Sequence, residues 1–149
     1  MAICRRLGIS WQLATSHLNL GDALLHCRRA DEAVAHFHDA LHLYRVLGDD
    51  VFAARVLNHI AHAALADNDL ARADRLAREA LASVAEQEER QGIAEGLETL
   101  AAVAAERSAL ERAATLAGAA AAIRDTIASH VAPFDVAITA PFWTRSVQA

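Results

Sequence analysis

Apolar residues along this chain recur at three- and four-residue spacing, the period of a helix with one buried face, and such runs alternate with short polar breaks. A second period lies over the first. Leu20-Gly21, Ile60-Ala61 and Leu100-Ala101 stand forty residues apart, and the small and apolar positions after them fall into columns. Ala33, Ala73 and Ala113 form one column, Phe37, Ala77 and Ala117 a second, and Ala40, Ala80 and Ala120 a third. Leu25 and Leu65 also coincide, with Ala105 below them. A unit of this length with two amphipathic segments buries its apolar face only by stacking on its neighbours.

The breaks within the units are Arg28-Arg29-Ala30-Asp31, Asp67-Asn68-Asp69 and Arg107-Ser108. Asp31, Asp69 and Ser108 are the expected N-caps of the second helices, because short polar side chains accept from the free N–H groups of a first turn. Glu32 and Glu111 suit the positive end of the helix dipole. Gly48-Asp49-Asp50 closes the first unit with glycine as the helix stop, and the second boundary, over 88–92, is softer. First helices are predicted at about 11–27, 50–66 and 91–106, and second helices at about 31–47, 70–88 and 109–129.

The expected fold is all-α, a right-handed helical-hairpin solenoid in one domain over 1–149, with repeats at about 11–48, 50–88 and 91–129 and a tail at 130–149. Cys4-Arg5-Arg6-Leu7-Gly8 matches Tyr44-Arg45-Val46-Leu47-Gly48 forty residues on, so a partial repeat is expected before the first.

Composition narrows the function. About a quarter of the 149 residues are Ala and only 5% are aromatic, which favours helices packed through small side chains. All 14 basic residues are Arg, so a P-loop lysine, a Schiff-base lysine and a Ser-Lys dyad are excluded. A net charge of −5, with no basic run longer than Arg5-Arg6 and Arg28-Arg29, argues against nucleic acid as a direct partner. The longest apolar run, 116–123, is less than half of the ~20 residues a membrane span needs. The N-terminus lacks the apolar core of a signal peptide, so a cytoplasmic protein is expected. Cys4 and Cys27 form no metal or disulfide framework, which fits two small thiols in a reducing compartment.

The order Leu20, Gly21, Leu24, Ala33, Phe37, Ala40 has the spacing of the tetratricopeptide (TPR) signature, and the chain resembles that family. His17, Leu57 and Leu97 occupy the usual Trp position, the closing Pro is absent, and the unit exceeds the standard ~34 residues. The longer unit, the ending Tyr44-Arg45-Val46-Leu47-Gly48-Asp49 and the segment Arg112 to Arg124 are similar to the C-terminal TPR region of bacterial signal-transduction ATPases and regulators of the LuxR and antibiotic-regulator kinds. The tail departs from that pattern: Pro133 and Pro141 interrupt it, and Phe134, Phe142 and Trp143 are expected to fold back as a cap, with an exposed docking peptide as the alternative.

The TPR resemblance implies a concave groove lined by first-helix residues. Projecting its spacing selects Thr15, Leu18, Asp22 and His26 from the first unit, Arg55, Asn58, His62 and Ala66 from the second, and Glu95, Glu98, Ala102 and Glu106 from the third. Each set advances by three or four residues and so forms one stripe. Asp22 is expected to face His62, and Arg55 to face Glu95, either as inter-repeat ion pairs or as a polar clamp for a peptide, with Asn58 bonding its backbone and Arg55 its carboxylate. The acidic third-unit end favours a basic ligand segment.

Eight histidines raise the question of a metal, and His38-Asp39-Ala40-Leu41-His42 resembles a HExxH pattern with Asp for Glu. Asp is shorter than the catalytic Glu, the core lies on the other side of this helix, His36 projects away from the pair, and no third ligand is evident. No metal site and no cofactor are therefore expected. His59 is expected to face a neighbouring helix and His62 the groove, where it titrates near neutrality. With no catalytic motif, the leading expectation is a non-enzymatic module that binds a protein or peptide in its groove. The alternatives are a small-molecule sensor of a regulator and homodimerisation through the open face near residues 1–10.

Overall fold

The structure, a computed structural model, describes residues 2–130, and side chains over 8–128. It consists of six helices: α1 (Ala2–His26), α2 (Ala30–Leu47), α3 (Asp50–Ala66), α4 (Leu70–Glu86), α5 (Arg90–Glu106) and α6 (Leu110–His130). Consecutive helices pack together as hairpins, and no strand occurs among the described residues. The all-α helical-hairpin solenoid is the fold.

Every turn is built the same way. Arg28, Gly48, Asn68, Glu88 and Ser108, spaced twenty residues apart, all take left-handed backbone, with φ between 54° and 70°. The N–H of the next residue then reaches back five residues to the helix end: Arg29 to Leu24 O, Asp49 to Tyr44 O, Asp69 to Ala64 O, Glu89 to Val84 O and Ala109 to Ala104 O, at 2.8–3.0 Å. This Schellman arrangement satisfies carbonyls that a helix end otherwise leaves free. It also moves two of the expected caps. Ser108 is the left-handed residue, two positions before α6 begins, and Asp31 lies within the first turn of α2, whose N-cap, Arg29, makes no side-chain cap bond. Asp69 does cap α4, its Oδ1 accepting from Arg72 N at 3.0 Å. Asp49 and Glu89 cap α3 and α5 in the same way.

α1 runs unbroken for 25 residues, so the segment 4–8 passes into the first repeat without a turn at Gly8. The expected cap formed by Phe134, Phe142 and Trp143 lies outside the described residues, as do the side chains of residues 1–7 at the expected dimer face.

The core is a column of small residues with a few large ones. Ala33, Phe37, Ala40, Tyr44, Val56, Ile60, Ala61, Ala73, Ala77, Val84 and Ala94 are almost completely buried. Aromatic rings weld the first hairpin to the second: Tyr44 stacks on Phe52 at 5.1 Å, and Trp11 meets both edge-on while donating its Nε1–H to Asp49. α3 also packs against α1 and α5 directly, whereas among the described residues the backbones of α2, α4 and α6 stay apart, α2 and α4 meeting only through the Arg45–Glu79 ion pair at 3.4 Å. The odd-numbered helices therefore form the close inner row of the array.

Candidate functional site

The inner row carries a cleft that crosses three helices. Its wider part, about 450 Å³, is lined by Asp22, Leu25 and His26 of α1 and by His59 and His62 of α3. The narrower part, about 190 Å³, continues from His59 and His62 to Arg55 and Asn58 and on to Glu95 and Glu98 of α5. Each helix presents these positions at three- and four-residue steps, so one face of each contributes a stripe.

The polar groups in the cleft are mostly engaged with one another. Asp22 Oδ1 lies 2.7 Å from His59 Nδ1, and His26 donates its Nδ1–H to the Asp22 carbonyl at 2.8 Å. Asp22 thus meets His59 and not His62, one turn away from the equivalent-position pairing expected, and His59 rests its ring on Phe37 at 5.5 Å. Thr99 donates its single hydroxyl proton to the Glu95 carbonyl, which makes His62 the donor, through Nε2–H, to Thr99 Oγ1 at 3.1 Å. His62 stays open to the cleft, yet the protein packed around its ring, with the charge of His59 in support, pushes its pKa down, against Asp22, Glu95 and Glu98.

Arg55 and Glu95 occupy equivalent positions in adjacent repeats and do approach, at 3.6 Å. The Arg55 guanidinium also lies over the Phe52 ring at 5.3 Å. Glu98 takes a bidentate pair from Arg124 of α6, which holds its carboxyl below the usual range. The expected acidic end of the groove is thereby largely neutralised, because Arg55 and Arg124 bring positive charge to the two glutamates.

Two groups are exceptions, Arg55 Nε, which is buried without a hydrogen-bond partner among the described residues, and Asn58. Asn58 is 6% exposed, and its Oδ1 has no hydrogen-bond partner among the described residues. An unpaired buried acceptor costs about 1–3 kcal/mol. Behind it Ala54, Ala80, Val84 and Gly92 close the floor with no room for water.

Five projected positions do not line the cleft, Ala66 and Ala102 among them. Leu18, at 6% exposure, closes the core beside Ala14 instead of lining the groove, because its rotation around α1 points it between the helices. Thr15 shares a 2.9 Å hydrogen bond with the Tyr44 hydroxyl and is half-buried. Glu106 is the last residue of α5 and is not among the residues of either cleft. Leu25 and His59 line the wider cleft although the projection left them out. His59 carries an i, i+3 relation to His62 that marks it as a cleft neighbour.

The sequence profile of the tetratricopeptide repeat family matches residues 12–86. Among solved structures, the TPR domain of Arabidopsis FLU superposes with a TM-score of 0.70 at 22% identity, covering 78% of this chain and 98% of that one. BtubC (BKLC) from P. vanneervenii superposes with a TM-score of 0.67 at 21% identity over 85% of this chain and 52% of that one. No curated protein sequence matches the chain.

Proposed function

Because the chain belongs to the tetratricopeptide repeat family, whose repeats mediate protein–protein interaction, we propose that the cleft over α1, α3 and α5 binds an extended peptide segment of a partner protein. The reading is carried by Asn58, which lines the cleft and whose buried Oδ1 lacks a donor. A peptide backbone N–H supplies it, and the Asn58 amide returns an N–H to the neighbouring carbonyl. Arg55, held by Phe52 and Glu95, takes a carboxylate or a carbonyl beside it. The carboxylates and imidazoles of the cleft are engaged, Asp22 with His59, Glu95 with Arg55, Glu98 with Arg124 and His62 with Thr99, which favours binding over catalysis.

The resemblance of Arg112 to Arg124 to regulator-type TPR regions supports a partner within a bacterial cytoplasmic regulatory system. A second reading, a small polar molecule, draws on the size of the wider part, since about 300–1,000 Å³ is the range of ligand pockets.

The test is selection of binders from a random peptide library, followed by ¹H–¹⁵N chemical-shift mapping. Shifts clustered at Asp22, Asn58, His59 and Glu95, lost in Arg55→Ala/Asn58→Ala with unchanged circular dichroism, are expected. Shifts confined to α2, α4 and α6 would overturn the assignment. Selection of no peptide, with a metabolite producing the same shifts, would move it to the second reading.

A further inference from the structure

A second polar cluster sits outside the cleft, in the contact between α1 and α2. His17 Nδ1 and His36 Nδ1 face each other at 3.0 Å, with ring centroids 5.2 Å apart, and Asp39 Oδ2 lies 3.7 Å from His17 Nδ1. All three ligand atoms lie within 4.8 Å of one another. His36, which helical spacing separates from His38 and His42, is therefore turned toward α1.

The repeat itself gives the reference for what this contact ordinarily holds. Forty residues on, the positions of His17 and His36 are Leu57 and Leu76, both buried in the core, and eighty residues on they are Leu97 and Leu116. Two repeats close the hairpin at this point with a leucine pair. The first replaces that pair with two half-buried imidazoles aimed at each other, and places a carboxylate one turn beyond the second.

We propose that His17, His36 and Asp39 form a binding site for a divalent transition-metal ion of the zinc class. The two Nδ1 atoms share one proton in the hydrogen bond they make. When the donor ring moves that proton from Nδ1 to its Nε2, both Nδ1 lone pairs are free for a cation, and imidazole suits zinc, copper and nickel. With Zn–N bonds of about 2.0–2.1 Å, nitrogens 3.0 Å apart subtend roughly 95° at a shared ion. Opening them to about 3.3–3.4 Å gives the tetrahedral angle, a movement of a few tenths of an ångström. Asp39, exposed on its outer side, swings in as the third ligand and offsets part of the ion's charge. A fourth position opens toward solvent. The bound ion would tie α1 to α2 where the other hairpins use leucines.

Titrating the full chain with Zn²⁺ against a chromophoric chelator, with thermal melts in parallel, tests this. One equivalent bound and a raised Tm are expected. The decisive variant is His17→Leu/His36→Leu, which installs the residues the other two repeats carry and so keeps the hairpin folded. It should weaken the Kd by at least about tenfold, the scale on which even outer-sphere partners of a metal act, and abolish the Tm response. Asp39→Asn should weaken binding while leaving the apo Tm near wild type. His38→Ala/His42→Ala should bind as wild type does. Binding lost in that last variant and kept in His17→Leu/His36→Leu would place the ion on the solvent-facing pair and overturn the proposal. Failure of the wild type to take up one equivalent would also overturn it.

Discussion

Gly21→Ala is expected to destabilise the protein, although the same change is favourable in most helices. A Cβ at Gly21 would stand 2.5 and 2.6 Å from Phe37 Cε1 and Cδ1, against ordinary carbon contacts of about 3.5–4.0 Å. Phe37 is completely buried, so its ring has nowhere to retreat. Overpacking of this kind costs about 1–3 kcal/mol, while replacing a helical Gly with Ala returns about 0.8–1.0 kcal/mol. The net loss is roughly 1 kcal/mol, the difference between those two ranges. Gly118→Ala isolates the second effect, since nothing lies within 4 Å of its added Cβ, and should stabilise by about 1 kcal/mol. Urea unfolding of both variants therefore measures the steric contribution as their difference, about 1–3 kcal/mol. The repeat supports the pairing, because Ala61 and Ala101 stand where Gly21 does, and Ala77 and Ala117 where Phe37 does. Gly21→Ala/Phe37→Leu should recover part of the loss, as expected of residues in contact. Equal unfolding free energies for Gly21→Ala and Gly118→Ala would refute the reasoning.

Ser108→Gly and Glu88→Gly should each raise the Tm, by about 0.5–1 kcal/mol of stability, because both residues hold left-handed backbone that glycine adopts without steric penalty. A lower Tm in either would count against the turn geometry. Arg124→Gln should cost at most about 1 kcal/mol at neutral pH, since Arg124 and Glu98 are each nearly half exposed. The folded-state pKa of Glu98 lies below its ordinary 4.5, so this contribution is present above that value and should vanish in urea melts as the pH falls through the folded value. His62 has a folded pKa below the ordinary 6.5, so protonation favours the unfolded chain. Stability should fall as the pH drops below that value, and His62→Gln should flatten this part of the melting profile; an unchanged slope would refute the role of His62.

The helices and their order were legible in the chain because helical periodicity is local: each apolar position answers to neighbours three and four residues away. The forty-residue columns carried the stacking as well, since Ala33, Ala73 and Ala113 recur wherever two helices must approach closely. Of the five turns, Gly48 announced its backbone, and Asn68 is of a type that tolerates it. Arg28, Glu88 and Ser108 adopt the same conformation because the hairpin geometry imposes it, and nothing in those side chains signals it. The cleft was legible as a set of stripes but not as a set of partners. Arg55 and Glu95 meet at equivalent positions, whereas Asp22 meets His59 and His62 meets Thr99, each one turn out of step. Which turn of one helix faces which turn of the next depends on crossing angle and on side-chain volumes packed between them, such as Phe37 beneath His59. The same holds for His17 against His36 and Asp39, which lie nineteen and twenty-two positions further along the chain and reach it only by closure of the first hairpin. Periodicity along one chain determines which residues share a face; the packing of two faces decides which residues touch.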